Sequence, residues 1–161
     1  MGCGNRTGHS TSGCVCDVVR AILDIQDNVQ DNCGCGSNCF MEPLGSIRPN
    51  MKERVNTRVF SLKNADGSPF HAFFKGCSDA CVSIYFRVEE VFDNCCATLR
   101  VLKPLDCEGC PVDLTEHGKC CIDFSKVCKV EEFEATNDCV TVDLSCFCAI
   151  QCIEDINLDL C

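Results

Sequence analysis

The chain has 161 residues, room for one domain that buries roughly two-thirds of its unfolded surface. With the 20 cysteines set aside, about a third of it is apolar, enough for a modest core. A net charge of −10 with only 14 Lys+Arg argues against a phosphate-binding or anionic-membrane surface.

Residues 1–13 are rich in Gly, Ser, Thr and Asn and read as an unpacked arm carrying Cys3. No stretch there is apolar enough for a signal peptide, and no run long enough to span a membrane follows, so synthesis in the cytoplasm is expected. The myristoylation pattern fails because Arg6 stands where Ser or Thr is needed.

From about residue 14 to 31, Val15, Val18, Val19, Ile22, Ile25 and Val29 recur at three- and four-residue intervals, which predicts an amphipathic helix. Ser12 suits its cap and Asp17 its first turn. Glycines at 34 and 36 then make a loop that bears Cys33, Cys35 and Cys39.

After a connection at 43–57 the pattern turns to strands. Residues 58–63 and 70–75 flank Asp66-Gly67 and predict a hairpin. Residues 82–91 alternate, with Ile84, Phe86 and Val88 on one side and Tyr85, Arg87 and Glu89 on the other. Residues 97–103 follow suit; 104–118 read as a long loop with Cys107 and Cys110, and strand signals resume at 120–124. The acidic group Glu131, Glu132 and Glu134 matches no calcium loop and reads as a solvated face.

The last strand is expected over 139–153, with Val140, Val142, Leu144, Cys146, Cys148, Ile150 and Cys152 on one face. Cys146, Cys148 and Cys152 are expected there as small buried apolar residues. One helix and about six strands predict a mainly β domain over 1–161, an antiparallel sandwich or rolled sheet with the helix at one side and a short tail at 154–161.

Cysteine at about 12% signals a covalent scaffold or a metal cage. The adjacent pairs Cys95-Cys96 and Cys120-Cys121 stand at strand starts, where neighbouring side chains point to opposite faces, so one thiol of each pair faces out. A bridge between adjacent residues is strained, so the outward thiols need other partners. With the loop and tail cysteines, the candidate crosslinking set is Cys3, Cys33, Cys35, Cys39, Cys95, Cys96, Cys107, Cys110, Cys120, Cys121 and Cys161.

A cytosolic zinc-binding module is the alternative. Cys14/Cys16, Cys33/Cys35, Cys77/Cys81 and Cys107/Cys110 each offer two thiolates, but only the last has the tight zinc-finger spacing. None of His9, His71 and His117 falls in a histidine ligand pair, so no cofactor and no resident metal is expected. Catalysis is not expected either: Cys107/Cys110 lies in a loop rather than at a helix start, and His117 near Cys120 has no evident third group to orient it.

The stretch CVTVDLSCFCAIQC at 139–152 resembles the C-terminal signature of the CotY/CotZ/ExsY family of cysteine-rich spore coat and exosporium proteins. FRVE at 86–89, CCATLRVL at 95–102 and, more loosely, CVCDVV at 14–19 extend the resemblance over most of residues 14–153. It departs from the family at Val59, where a proline is expected, and in the loop at 104–118.

The resemblance implies a non-catalytic structural protein of the coat crust or exosporium. Such a protein is made in the mother cell and assembles, with itself and other coat proteins, into a hexagonal sheet of hexamers crosslinked by disulfides. Nucleic acid and membrane insertion have no place in that role. Oxidation after mother-cell lysis would reconcile abundant cysteine with cytoplasmic synthesis.

Overall fold

The computed structural model describes residues 13–28, 55–76, 80–116 and 121–160. The chain forms a mainly β, antiparallel structure with one N-terminal helix, as the sequence predicts. The elements are α1 (Cys14–Asn28), β1 (Thr57–Asn64), β2 (Ala72–Phe73), β3 (Val82–Ser83), β4 (Phe86–Val91), β5 (Cys96–Leu105), α2 (Phe124–Val127), β6 (Glu132–Asp143) and β7 (Phe147–Ile156). Five strands make the main sheet in the order β6-β5-β4-β1-β7, and β2 pairs with β3 in a small ribbon.

The edge strands β6 and β7 are joined only by a 3-10 turn, Leu144–Cys146. A flat sheet of five strands would hold its edges ~19 Å apart. The short link reaches at most ~14 Å. The sheet therefore rolls at this end without closing. Asp143 caps the turn by accepting from Ser145 N at 2.9 Å. The single strand expected over 139–153 is thus two strands at opposite edges.

α1 fills the concave side of the roll. Val15, Cys16, Val19 and Ile22 pack against Phe60, Leu62, Phe86, Val88, Leu99, Leu144 and Phe147. Phe70 inserts between Phe86 and Phe147, with ring centroids 5.4 and 5.0 Å away. The buried helical face turns away from the expected stripe at its end: Ile25 is 48% exposed and Gln26 is 6% exposed. Gln26 is buried because its amide satisfies backbone groups of β4 and β1, donating to Val88 O and accepting from Arg58 N.

A second core lies on the other face, where Val59, Ile84, Tyr85 and Leu102 meet Val112, Leu114 and Leu158. The excursion between β5 and β6 supplies Val112 and Leu114, so Tyr85, expected to face solvent, is buried and stacks edge-on with Phe133 at 4.9 Å. Asn56 clasps Leu158 at both its N–H and its carbonyl, at 2.9 and 2.8 Å, and holds the segment after β7 in this core.

Other expectations are corrected by local chemistry. The Asp66-Gly67 turn forms, with Gly67 at φ 82°, but its ladder is confined to the Lys63–Pro69 bridge, across which Asn64 N donates to Ser68 O and Phe70 N to Leu62 O at 2.9 Å each. β1 pairs instead with β4 and β7. In place of a strand at 120–124 there is one bridge, Thr115 to Ile122, followed by α2 capped by Asp123. Glu131, Glu132 and Glu134 are exposed, as a solvated face requires, and the last two lie at the start of β6.

Candidate functional site: the surface thiols

The described cysteines divide into those engaged within the chain and those presented to solvent. Cys16, buried on α1, bonds Cys95 in the turn between β4 and β5, with a Cα–Cα distance of 5.7 Å and a sequence separation of 79. Arg20, one turn along the helix, donates to Phe92 O and Asp93 O in the same turn at 2.7 and 3.2 Å. Cys95 adopts φ 62°, and Cys96 N donates to Asn94 Oδ1 at 3.1 Å.

The crosslinking expectation for Cys95 is therefore corrected, because its sulfur is engaged inside the chain. The same bond removes Cys16 from the Cys14/Cys16 metal pair. Cys148 is also disulfide-bonded. Cys96, the first residue of β5, keeps a free, half-buried thiol, while Cys95 lies in the turn before the strand, so strand alternation does not relate the two.

Cys107 and Cys110 sit on a structured turn and are both exposed with free thiols. Asp106 Oδ1 accepts from Glu108 N and Cys110 N at 2.9 Å each, Gly109 N donates to Asp106 O at 2.9 Å, and Gly109 takes φ 74°. The pair is held out from the second core. Cys121 is exposed, and its carbonyl accepts from Glu116 N at 3.0 Å.

Cys14, Cys81, Cys128, Cys139, Cys146 and Cys152 are further exposed free thiols. They occupy the start of α1, the approach to β3, the end of α2, both edge strands and the turn that joins those edges. Cys146, Cys148 and Cys152 are all exposed, which corrects the expectation of burial. Their apolar neighbours imitate a core strand in sequence, whereas the strand lies at an edge and α1 covers little of it. Partial burial pushes the Cys139 thiol up, with Arg100 pulling the other way.

Beside Cys139 on the second face, Arg87 and Arg100 stand directly opposite one another on β4 and β5. Glu89 bridges them, 2.8 Å from Arg87 and 2.6 Å from Arg100, which relieves the like-charge opposition. Among the described residues no group of three or more His, Cys, Asp or Glu side chains is placed to hold a metal ion. Cys107 and Cys110 would supply two of the four ligands that tetrahedral zinc needs. Cys3, Cys33, Cys35, Cys39, Cys77, Cys120, Cys161, His9 and His117 lie outside the described residues. No described helix is long and apolar enough to cross a membrane.

The family model for spore coat protein Z matches residues 1–155. The chain belongs to that family. It is 34% identical over 146 residues to spore coat protein Z of Bacillus subtilis (strain 168), covering 90% of this chain and 91% of the relative. A structural role in the spore coat, at the spore surface, goes with that membership. No solved structure matches the chain.

Proposed function

We propose that this chain is a non-catalytic building block that assembles, as hexamers and with other coat proteins, into an ordered two-dimensional layer of the crust or exosporium, locked by disulfides between subunits. The observation that carries this reading is the distribution of free thiols. They are exposed at the helix start, on the 106–110 turn, after α2, at both edges of the sheet and at the turn between those edges, while the apolar cores and Cys16–Cys95 already hold the subunit together. Thiols spread over separate surfaces link neighbours in more than one direction, which a two-dimensional layer requires. If each bridge contributes about 2–4 kcal/mol, several per subunit would make the layer resistant to heat and denaturant.

The test is electron microscopy of purified protein with and without reductant, beside non-reducing gel electrophoresis. Ordered sheets and a ladder that collapses on reduction are expected. Protein that stays monomeric under oxidising conditions at high concentration would overturn the reading.

A further inference from the structure

We infer that the Cys16–Cys95 disulfide is a thiol-exchange site with a fixed direction: a small thiolate enters at Cys95 Sγ and Cys16 leaves. Cys95 is thereby a site of reversible modification by low-molecular-weight thiols. The exchange needs only the folded subunit, whether or not a layer forms.

Access, charge and the leaving group all set the same direction. Cys16 is 0% exposed, on the face of α1 that packs against Phe60, Phe86 and Leu144, whereas Cys95 is half-buried in the turn between β4 and β5. A nucleophile approaches a disulfide in line with the bond, so an incoming sulfur reaches Cys95 from the turn side and meets Cys16 only by displacing the core. Arg20 Nη2 stands 4.0 Å from Cys95 Sγ and is held there by donating to Phe92 O and Asp93 O. A chain at −10 repels an anionic thiolate from most of its surface, and this guanidinium draws it to one sulfur.

Cys16 is the third residue of α1, and helical side chains lean back toward the N-terminus, so its sulfur lies over the first turn. The N–H groups of that turn stabilise a thiolate and offset the cost of its burial, and a thiol of lower pKa leaves a disulfide faster. Cys95 also holds φ at 62°, a left-handed backbone that a non-glycine residue adopts under constraint, and opening the bond removes one of those constraints. In the step itself the thiolate bonds to Cys95 Sγ as the Cys16–Cys95 bond breaks. The electron pair of that bond goes to Cys16 Sγ, which takes up the proton the incoming thiol released. One disulfide replaces another, so no oxidant is consumed, and attack by Cys16 reverses the step.

The test uses the full chain, folded and dilute, with its free thiols first alkylated and mercaptoethanol as the thiol. Opening of the bond is expected to rise in proportion to mercaptoethanol and to be indifferent to urea below the unfolding transition; a rate that levels off at the rate of unfolding overturns the inference. Peptide mapping of acid-quenched samples is expected to find the adduct on Cys95 with Cys16 as a thiol, and an adduct on Cys16 overturns it. Where the adduct is too short-lived to recover, single variants decide. With oxidised mercaptoethanol, Cys95 of Cys16→Ala is expected to react at least roughly tenfold faster than Cys16 of Cys95→Ala, and equal rates overturn the direction. Arg20→Gln is expected to slow opening roughly tenfold at low salt, with high salt closing the gap and Arg20→Lys recovering most of the rate. A low-salt rate unchanged by Arg20→Gln counts against the exchange site as well.

Discussion

The side-chain amide of Gln26 stands in for a missing rung between two strands: its Nε2 donates to Val88 O at 2.9 Å and its Oε1 accepts from Arg58 N at 3.2 Å. β1 and β4 pair in register at Phe60 and Phe86, which makes Arg58 and Val88 the next opposed residues. The strands diverge there, and the amide restores both bonds from the helix above. Gln26→Leu keeps the volume, leaves the Arg58 N–H without this acceptor and leaves Val88 O only the long bond from Arg87 Nη1 at 3.4 Å, at a cost of about 1–3 kcal/mol. Urea denaturation of the reduced monomer should show a lower midpoint with an unchanged slope; a change under about 0.5 kcal/mol would assign the burial of Gln26 to packing alone.

The Cys16–Cys95 bond closes a long loop, with a sequence separation of 79, and joins α1 to the sheet. In the chain-entropy account such a crosslink contributes about 4 kcal/mol. Cys16→Ala with Cys95→Ala should therefore narrow the stability difference between oxidised and reduced monomer by about that amount, leaving the part due to the Cys148 disulfide. Denaturation of both proteins with and without reductant checks this. An unaltered oxidised midpoint in the variant would show that the bond constrains little.

What the sequence made legible follows from how local the signals are. The 3.6-residue recurrence from Val15 to Ile22 located α1, and alternation located β4 and β5, because one buried face imposes its period on a segment. The Asp66-Gly67 turn was legible for the same reason. The partners of β1 were not, because its pairing with the distant β4 and β7 leaves no trace in local periodicity. The exposure of Cys152 was not legible because an apolar strand at an exposed edge has the composition of a buried one. Cys95 was misassigned because its partner lies on a helix distant in sequence.

Acid should loosen the fold through a small set of carboxylates. The Arg58 guanidinium, 2.6 Å from Asp155, holds that carboxyl below its usual value, and hydrogen bonds from Ser68, Ser125 and Ser145 do the same for Asp66, Asp123 and Asp143. A lowered folded value means that the stabilisation is present above the unfolded value, about pH 4, and is lost as pH falls through the folded ones. These groups are largely exposed, so each contribution is small and salt-sensitive. Asp155→Asn should flatten the decline below pH 4 in denaturation midpoints measured at low salt; an identical slope would show that the Arg58 pair contributes nothing measurable.

Alkali should act through Tyr85, the single tyrosine of a chain without tryptophan. Burial between Phe133 and the second core pushes its hydroxyl up to about 12, with Cys128 adding a smaller push. A value raised by folding favours the native state while the ring is neutral, so this stabilisation is intact below about pH 10 and is lost as pH climbs from there through about 12. Because no other residue gives a tyrosinate signal, ultraviolet absorbance follows this one group. The folded protein should titrate about two pH units later than the urea-unfolded chain, or ionise together with unfolding as followed by circular dichroism. A midpoint near 10 with the fold intact would place the hydroxyl in water and remove the excursion carrying Val112 and Leu114 from the face it is described as covering.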